Sequence, residues 1–102
     1  MNLTFDPVKN RINVDKHGVD LADVEGVFYD GMALTREDRD HDEMRFVTLG
    51  LDGFGRLLVV VYTYRGEDEV RVISARFAEA ARAAHLRRIS HERQLRFFSG
   101  QA

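Results

Sequence analysis

The sequence has no cysteine, no tryptophan and only one proline, and it lacks any apolar run of membrane-spanning length. Without cysteine, disulfides, thiolate nucleophiles and Cys-ligated zinc are excluded, so stability must come from the core alone. The most apolar stretch, Leu57-Leu58-Val59-Val60-Val61-Tyr62-Thr63-Tyr64, falls far short of the roughly 18 residues that cross a bilayer. The opening Met1-Asn2-Leu3-Thr4-Phe5-Asp6 has neither a basic region nor a long apolar segment, so no secretion signal is expected. Cytoplasmic location with no membrane contact is the expectation. Strong net charge is also missing, at −2, and that total speaks against a nucleic-acid partner. What is present is a folded composition, 44% hydrophobic and 31% charged, in 102 residues. That length accommodates one domain, residues 1–102, with 91–102 expected as a frayed tail.

The total charge conceals an uneven distribution. Up to Gly55 there are six cations and twelve acidic residues, a balance of −6; beyond it, nine arginines face five acidic residues, a balance of +4. A basic face is therefore compatible with a mildly acidic whole. Thirteen of the fifteen cations are arginine, whose planar fork matches phosphate and carboxylate better than a lysine does. Arginine-rich codon usage explains that bias equally well.

Local patterns set the expected elements. Leu3-Thr4-Phe5 alternates as a short strand, and Asp6-Pro7 is an N-cap followed by proline at the first helical position. The helix should run from Pro7 to Lys16 or His17 and stop at Gly18, with two basic residues over the negative end of its dipole. Asp20 then caps a second expected helix carrying Leu21, Val24, Val27 and Phe28, which ends at Asp30-Gly31. From Met32 the period becomes two, and Arg36 to Glu43 reads as a loop or hairpin tip. Phe46 to Leu51, Leu57 to Tyr64 and Val70 to Ala75 read as strands joined by Asp52-Gly53-Phe54-Gly55 and Arg65-Gly66-Glu67-Asp68. The middle one, apolar on both faces, should be central. Phe77 to Ile89 is alanine-rich and should form a last helix. The expected class is α+β: a small antiparallel meander sheet with two N-terminal helices and a C-terminal helix.

Several fragments occur together in a telling order. Phe5-Asp6-Pro7-Val8-Lys9, Asn13, Lys16-His17-Gly18-Val19, Val27-Phe28 and Asp30 come first. Glu43 and Arg45 follow, then Leu49-Gly50, Val60-Val61-Tyr62-Thr63 with Arg65-Gly66, and Val70-Arg71-Val72-Ile73-Ser74-Ala75-Arg76. This ordered set, over residues 3 to about 85, resembles the BrnT family of bacterial toxins. The resemblance implies a ribonuclease toxin of a type II toxin–antitoxin pair with a RelE-like fold, inhibiting translation and growth by cutting RNA. It also implies a small antitoxin partner with a ribbon-helix-helix DNA-binding part, through which alone the complex would reach promoter DNA. Two departures are visible: Phe5 stands where tryptophan is common, and an acidic residue and a tyrosine of the family's last helix fall near Arg82 and His85.

Metal-free RNA cleavage, in which the 2′-OH attacks the adjacent phosphate, needs a base, cations for the crowded phosphorane, and a proton for the leaving 5′-oxygen. Arg45, Arg65 and Arg76 lie at the ends of adjacent expected strands, and a meander can bring at least two together. Arg76 is the first choice among them, and the resemblance agrees, since it closes the Ser-Ala-Arg motif. A solvated strand-end arginine explains each of the three as well. For the base, Glu43, His41 and His17 remain open. Glu43 and Arg45, two apart, would share a strand face. His17 exchanges a proton near neutrality unaided, although a dipole partner ahead of Gly18 accounts for it fully. The acidic run around His41 lacks the glycine and ligand period of an EF-hand, so neither metal nor cofactor is expected. Lys16, Tyr64, Arg71 and Arg82 are candidates for RNA contact, with Tyr62 and Tyr64 on one strand face and one or both in the core. The arginines from Arg76 through Arg82, Arg87, Arg88, Arg93 and Arg96 are expected to contact RNA backbone or an acidic antitoxin segment. A non-catalytic RNA- or protein-binding module of the same fold is the alternative. A small-molecule enzyme is disfavoured, because no glycine-rich phosphate loop or nucleophile motif is present.

Overall fold

The structure, a computed structural model, describes residues 1–39 and 42–78. Among these residues five strands form one sheet: β1 (Asn2–Thr4), β2 (Leu34–Asp38), β3 (Arg45–Leu51), β4 (Leu57–Arg65) and β5 (Glu69–Phe77), in the order β1-β5-β4-β3-β2. The meander of β2 to β5 is antiparallel, as expected, and β4 is central. β1 departs from a pure meander, because it pairs parallel to β5 with Leu3 opposite Val70. β1 thus lies on the outer edge of β5. It can reach that edge because the segment from Phe5 to Ala33 crosses the sheet before β2 begins.

That crossing begins with α1 (Pro7–His17). Asp6 accepts hydrogen bonds from the Val8 and Lys9 amides at 2.9 and 3.5 Å. Gly18, at φ 71°, ends the helix with its N–H on the Val14 carbonyl, a left-handed position that glycine adopts without Cβ strain. Only Asn13 of this helix is buried, so an apolar stripe does not attach it. β1 covers the β5 edge only as far as Arg71, and the Asn13 carboxamide takes over further along. Its Nδ2 donates to the carbonyls of Ala75 and Val19, both at 2.8 Å, and its Oδ1 accepts from the Ala75 amide at 3.2 Å. One side chain thus stands in for the missing strand, leaving no bare backbone groups on Ala75.

The expected second helix is instead two short 3₁₀ segments, Leu21–Asp23 and Glu25–Tyr29. Leu21, Val24 and Val27 recur at intervals of three, the 3₁₀ period, and this spacing sets all three against the sheet. With Val19 they cover Leu58, Val60 and Tyr62 of β4 and Val70, Val72 and Ala75 of β5. Burying each such side chain contributes about 1.5–3 kcal/mol. Gly26 permits this close seating, since a Cβ there would lie 2.4 Å from the Gly53 amide nitrogen.

Two further expectations are corrected. Arg36, Glu37 and Asp38 are strand rather than loop, opposite Val47, Phe46 and Arg45. β2 is a sheet edge whose side chains are mostly exposed, so backbone pairing defines it without apolar alternation, and its charges discourage further strand addition. Phe77 is the last residue of β5, opposite Leu58, not the start of a helix, and Arg76 is likewise a strand residue. The remainder of that expected helix lies outside the described residues, as do Arg82, Arg87, Arg88, Arg93 and Arg96. Among the described residues no helix is long and apolar enough to cross a membrane.

Candidate functional site

Strand register decides which predicted residues meet. Side chains alternate across a strand, so Phe46, Thr48, Leu58, Val60, Tyr62, Tyr64, Val70, Val72 and Ala75 occupy the core face. An irregularity between Val61 and Tyr62 sets Ser74 opposite Val61 and Val72 opposite Tyr62, leaving Ile73 as the extra residue. Arg36, Arg45, Arg65, Arg71, Ser74 and Arg76 therefore share the second face. Among the described residues no carboxylate pairs with Arg36, Arg45, Arg71 or Arg76.

Two cationic groups emerge. At one end, Arg65 donates to Glu43 at 3.4 Å. Asp38, Arg45, Thr63 and Arg71 form one row across four strands beside it. Arg45 is half-buried, and its Nε is enclosed without a hydrogen-bond partner among the described residues. Glu43 lies ahead of β3, so strand alternation does not set it beside Arg45, and its partner is Arg65.

The other group surrounds a groove of about 210 Å³ between α1 and β5. Lys9, Ile12, Asn13, Lys16, His17, Ile73 and Ser74 line it. Lys9, Asn13 and Lys16 are four and three residues apart, one face of the helix. Lys9 and Lys16 have no ion-pair partner among the described residues, and His17 is half-buried. Arg76 follows two residues after Ser74 on the same strand face, exposed. Strand spacing separates Arg76 from Arg45 by roughly 16 Å and from Arg65 by roughly 20 Å. The three arginines therefore do not converge: Arg45 and Arg65 share one end, whereas Arg76 lies two residues along β5 from the groove residue Ser74.

Sequence reasoning missed Lys9, Asn13 and Ser74 as groove residues. The usable signal was the helical spacing of Lys9, Asn13 and Lys16 on a helix lacking an apolar stripe. His41 and Asp40 lie outside the described residues, as does Arg82.

The tyrosines separate clearly. Tyr62 is buried and its hydroxyl meets Thr48 Oγ1 at 2.9 Å, which in turn meets Thr35 at 2.8 Å. Tyr64 is 55% exposed, edge-on to Phe46 and Tyr62. Burial and the neighbouring Tyr62 push its hydroxyl pKa up, so it stays protonated near neutrality. Three carboxylates are held below their usual range for structural reasons. Asp20 accepts from the Ala22 amide and Asn10, and Asp30 from the Leu51 and Met32 amides. Asp52 is opposed by burial but outweighed by the Arg56 amide and guanidinium and the Phe54 amide.

A mixed five-stranded sheet with four arginines on one face that no carboxylate pairs with among the described residues, beside a lysine-flanked histidine in a groove, offers cations suited to phosphate, and RNA is the polymer that also carries its own nucleophile. The family model for the ribonuclease toxin BrnT of type II toxin–antitoxin systems matches residues 5–81, and the chain belongs to that family. Its fold is similar to the crystal structure of the Brucella abortus ribonuclease toxin BrnT. The TM-score is 0.61 at 25% sequence identity, over 78% of this chain and 97% of that one. No curated protein matches.

Proposed function

We propose that this toxin cleaves RNA by metal-independent transesterification in the α1–β5 groove, with the arginine end of the sheet holding the flanking strand. The observation that carries the reading is the grouping of His17 with Lys9, Lys16 and Ser74 in one concave site, two residues along β5 from Arg76. His17 takes the 2′-OH proton as the oxygen attacks the adjacent phosphorus. Lys16, Lys9 and Arg76 neutralise charge developing on the non-bridging oxygens. The P–O5′ bond breaks, the 5′-oxygen takes a proton from water, and a 2′,3′-cyclic phosphate remains. Arg71, the β5 member of the row at the arginine end, continues the cationic track toward Arg45 and Arg65. Glu43 orients Arg65 in this scheme and is not the base.

The cognate antitoxin carries a ribbon-helix-helix DNA-binding part and covers the same cationic face with an acidic segment, reaching promoter DNA on behalf of the complex. RNA cleavage by the free toxin in the cytoplasm then arrests translation and growth. The test is induction without the antitoxin. Growth arrest with RNA fragments ending in 2′,3′-cyclic phosphate, both abolished by His17→Ala, is expected. Intact RNA beside folded wild-type protein would leave only a binding module, and cleavage abolished by EDTA would remove the metal-independent route.

A further inference from the structure

A second cavity, of about 260 Å³, opens at the Tyr64 end on the core-side face and has no part in the cleavage scheme. Its lining is Met1, Phe28, Tyr64, Glu67, Asp68 and Val70. Val70 closes the floor at 3% exposure, Phe28 is half-buried, and Tyr64 offers an exposed ring flank braced by Phe46 and Tyr62. Such a flank is a stacking platform. The rim is acidic: Asp68 approaches the Met1 ammonium at 3.8 Å, whereas the exposed Glu67 carboxylate has no partner among the described residues.

We propose that this cavity is a nucleobase subsite of the toxin, selecting guanine by stacking on Tyr64 and by the Glu67 carboxylate accepting from the base's Watson–Crick edge. The inference rests on the ribonuclease reading and assigns its sequence preference. The Glu67 carboxylate repels phosphate while the Met1 ammonium offsets Asp68, so beside Tyr64 and Glu67 the cavity suits a base better than the RNA backbone. A carboxylate has acceptors alone, and guanine presents two adjacent donors, N1–H and N2–H, in a matching fork. Adenine and cytosine each offer one amino donor, and uracil flanks its single N3–H with two carbonyl oxygens. Backbone geometry connects this pocket to the cationic track. Tyr64 and Arg65 are successive residues of β4, so their side chains leave on opposite faces. A nucleotide folded around this end of the sheet sets its base against Tyr64 and its phosphate against Arg65.

The test uses nucleosides, which carry no phosphate and so report on the pocket independently of cleavage. NMR titration of the intact protein with guanosine, adenosine, cytidine and uridine should shift Tyr64 and Val70 resonances, with guanosine tightest and uridine weakest. Glu67→Gln should weaken guanosine on the order of tenfold while leaving uridine unaffected. In RNA it should redistribute the cut sites away from guanine-containing positions. Equal affinity for all four nucleosides, or an arginine-rich peptide binding here in preference to guanosine, would overturn the assignment. An unchanged cut-site pattern in folded Glu67→Gln would do so too, while leaving the ribonuclease reading intact. Failure of wild-type protein to cut RNA would instead defeat that reading and leave the nucleoside titration to judge the pocket by itself.

Discussion

The two cationic groups on this sheet differ in what their charges are free to do. At the α1–β5 groove a histidine sits among lysines that no carboxylate engages among the described residues, and the concave lining would let several of them act on one phosphate in the proposed scheme. At the opposite end Arg65 is already committed to Glu43, and Arg45 and Arg71 are spread along a flat row. A concave group with a titratable member suits bond making and breaking; a flat row of fixed charges suits holding a strand. Their separation, roughly 16–20 Å by strand spacing, is a matter of a few nucleotides of extended RNA rather than of one reacting centre. Arginine content alone therefore does not group the cations of this sheet; register and curvature do.

Perturbing the groove should have the largest effect. His17→Ala should lower the cleavage rate by roughly 10²–10⁴ with little change in RNA affinity, the range for loss of a general base. Arg76→Ala should cost somewhat less, about 10²-fold, in the same parameter. Single-turnover kinetics on a short RNA separates these from binding defects. At the opposite end, Arg45→Ala or Arg65→Ala should raise Kd several-fold and reduce the slope of log affinity against log salt by about 0.7, one phosphate on a single strand. Glu43→Gln should alter cleavage less than the loss of either arginine. A rate loss of His17→Ala size from this substitution would transfer the base to the arginine end.

Stability should follow a third set of residues, which both ends share as scaffold. Asn13→Ala strands the Ala75 amide and carbonyl and should cost about 2–4 kcal/mol in urea unfolding. Because Asn13 also lines the groove, activity lost in that variant should return where the protein is folded, which distinguishes support from chemistry. Acid has the smallest effect near neutrality. Asp20, Asp30 and Asp52 have folded pKa values depressed below the ordinary carboxylate value, so their contribution is complete above about pH 4 and is lost as pH falls through the folded values. Asp52→Asn should flatten that acid limb of the unfolding curve, and a limb of unchanged steepness would show that this hairpin carboxylate does not drive it.

The elements were legible wherever local chemistry dictated them. Asp6-Pro7 and Gly18 bracket α1 because their cap geometry is intrinsic, and the apolar β4 announces a central strand. Leu21, Val24 and Val27 read as an α-helix because intervals of three fit both helical periods loosely, and only packing against the sheet selects 3₁₀. β2 was missed because an exposed edge strand has no apolar alternation to display. Parallel pairing of β1 with β5 leaves no trace in either segment. For the groove, His17 and Lys16 are visible as residue types, yet their placement beside Ser74 depends on how Asn13 docks α1 along β5. Alternation placed Tyr62 and Tyr64 on one face correctly, but burial differs because the 3₁₀ segments cover one and not the other. The distance of Arg76 from Arg45 and Arg65 follows from summed register over three strands, which no local pattern encodes.

In the proposed scheme the groove and the arginine end divide the labour. Single-turnover cleavage rate and Kd, measured on one RNA for wild type, His17→Ala and Arg65→Ala, test it most directly. A collapsed rate at near wild-type Kd is expected for His17→Ala, and a raised Kd at near wild-type saturating rate for Arg65→Ala. The reverse pattern, or equal loss of rate in both, would contradict it.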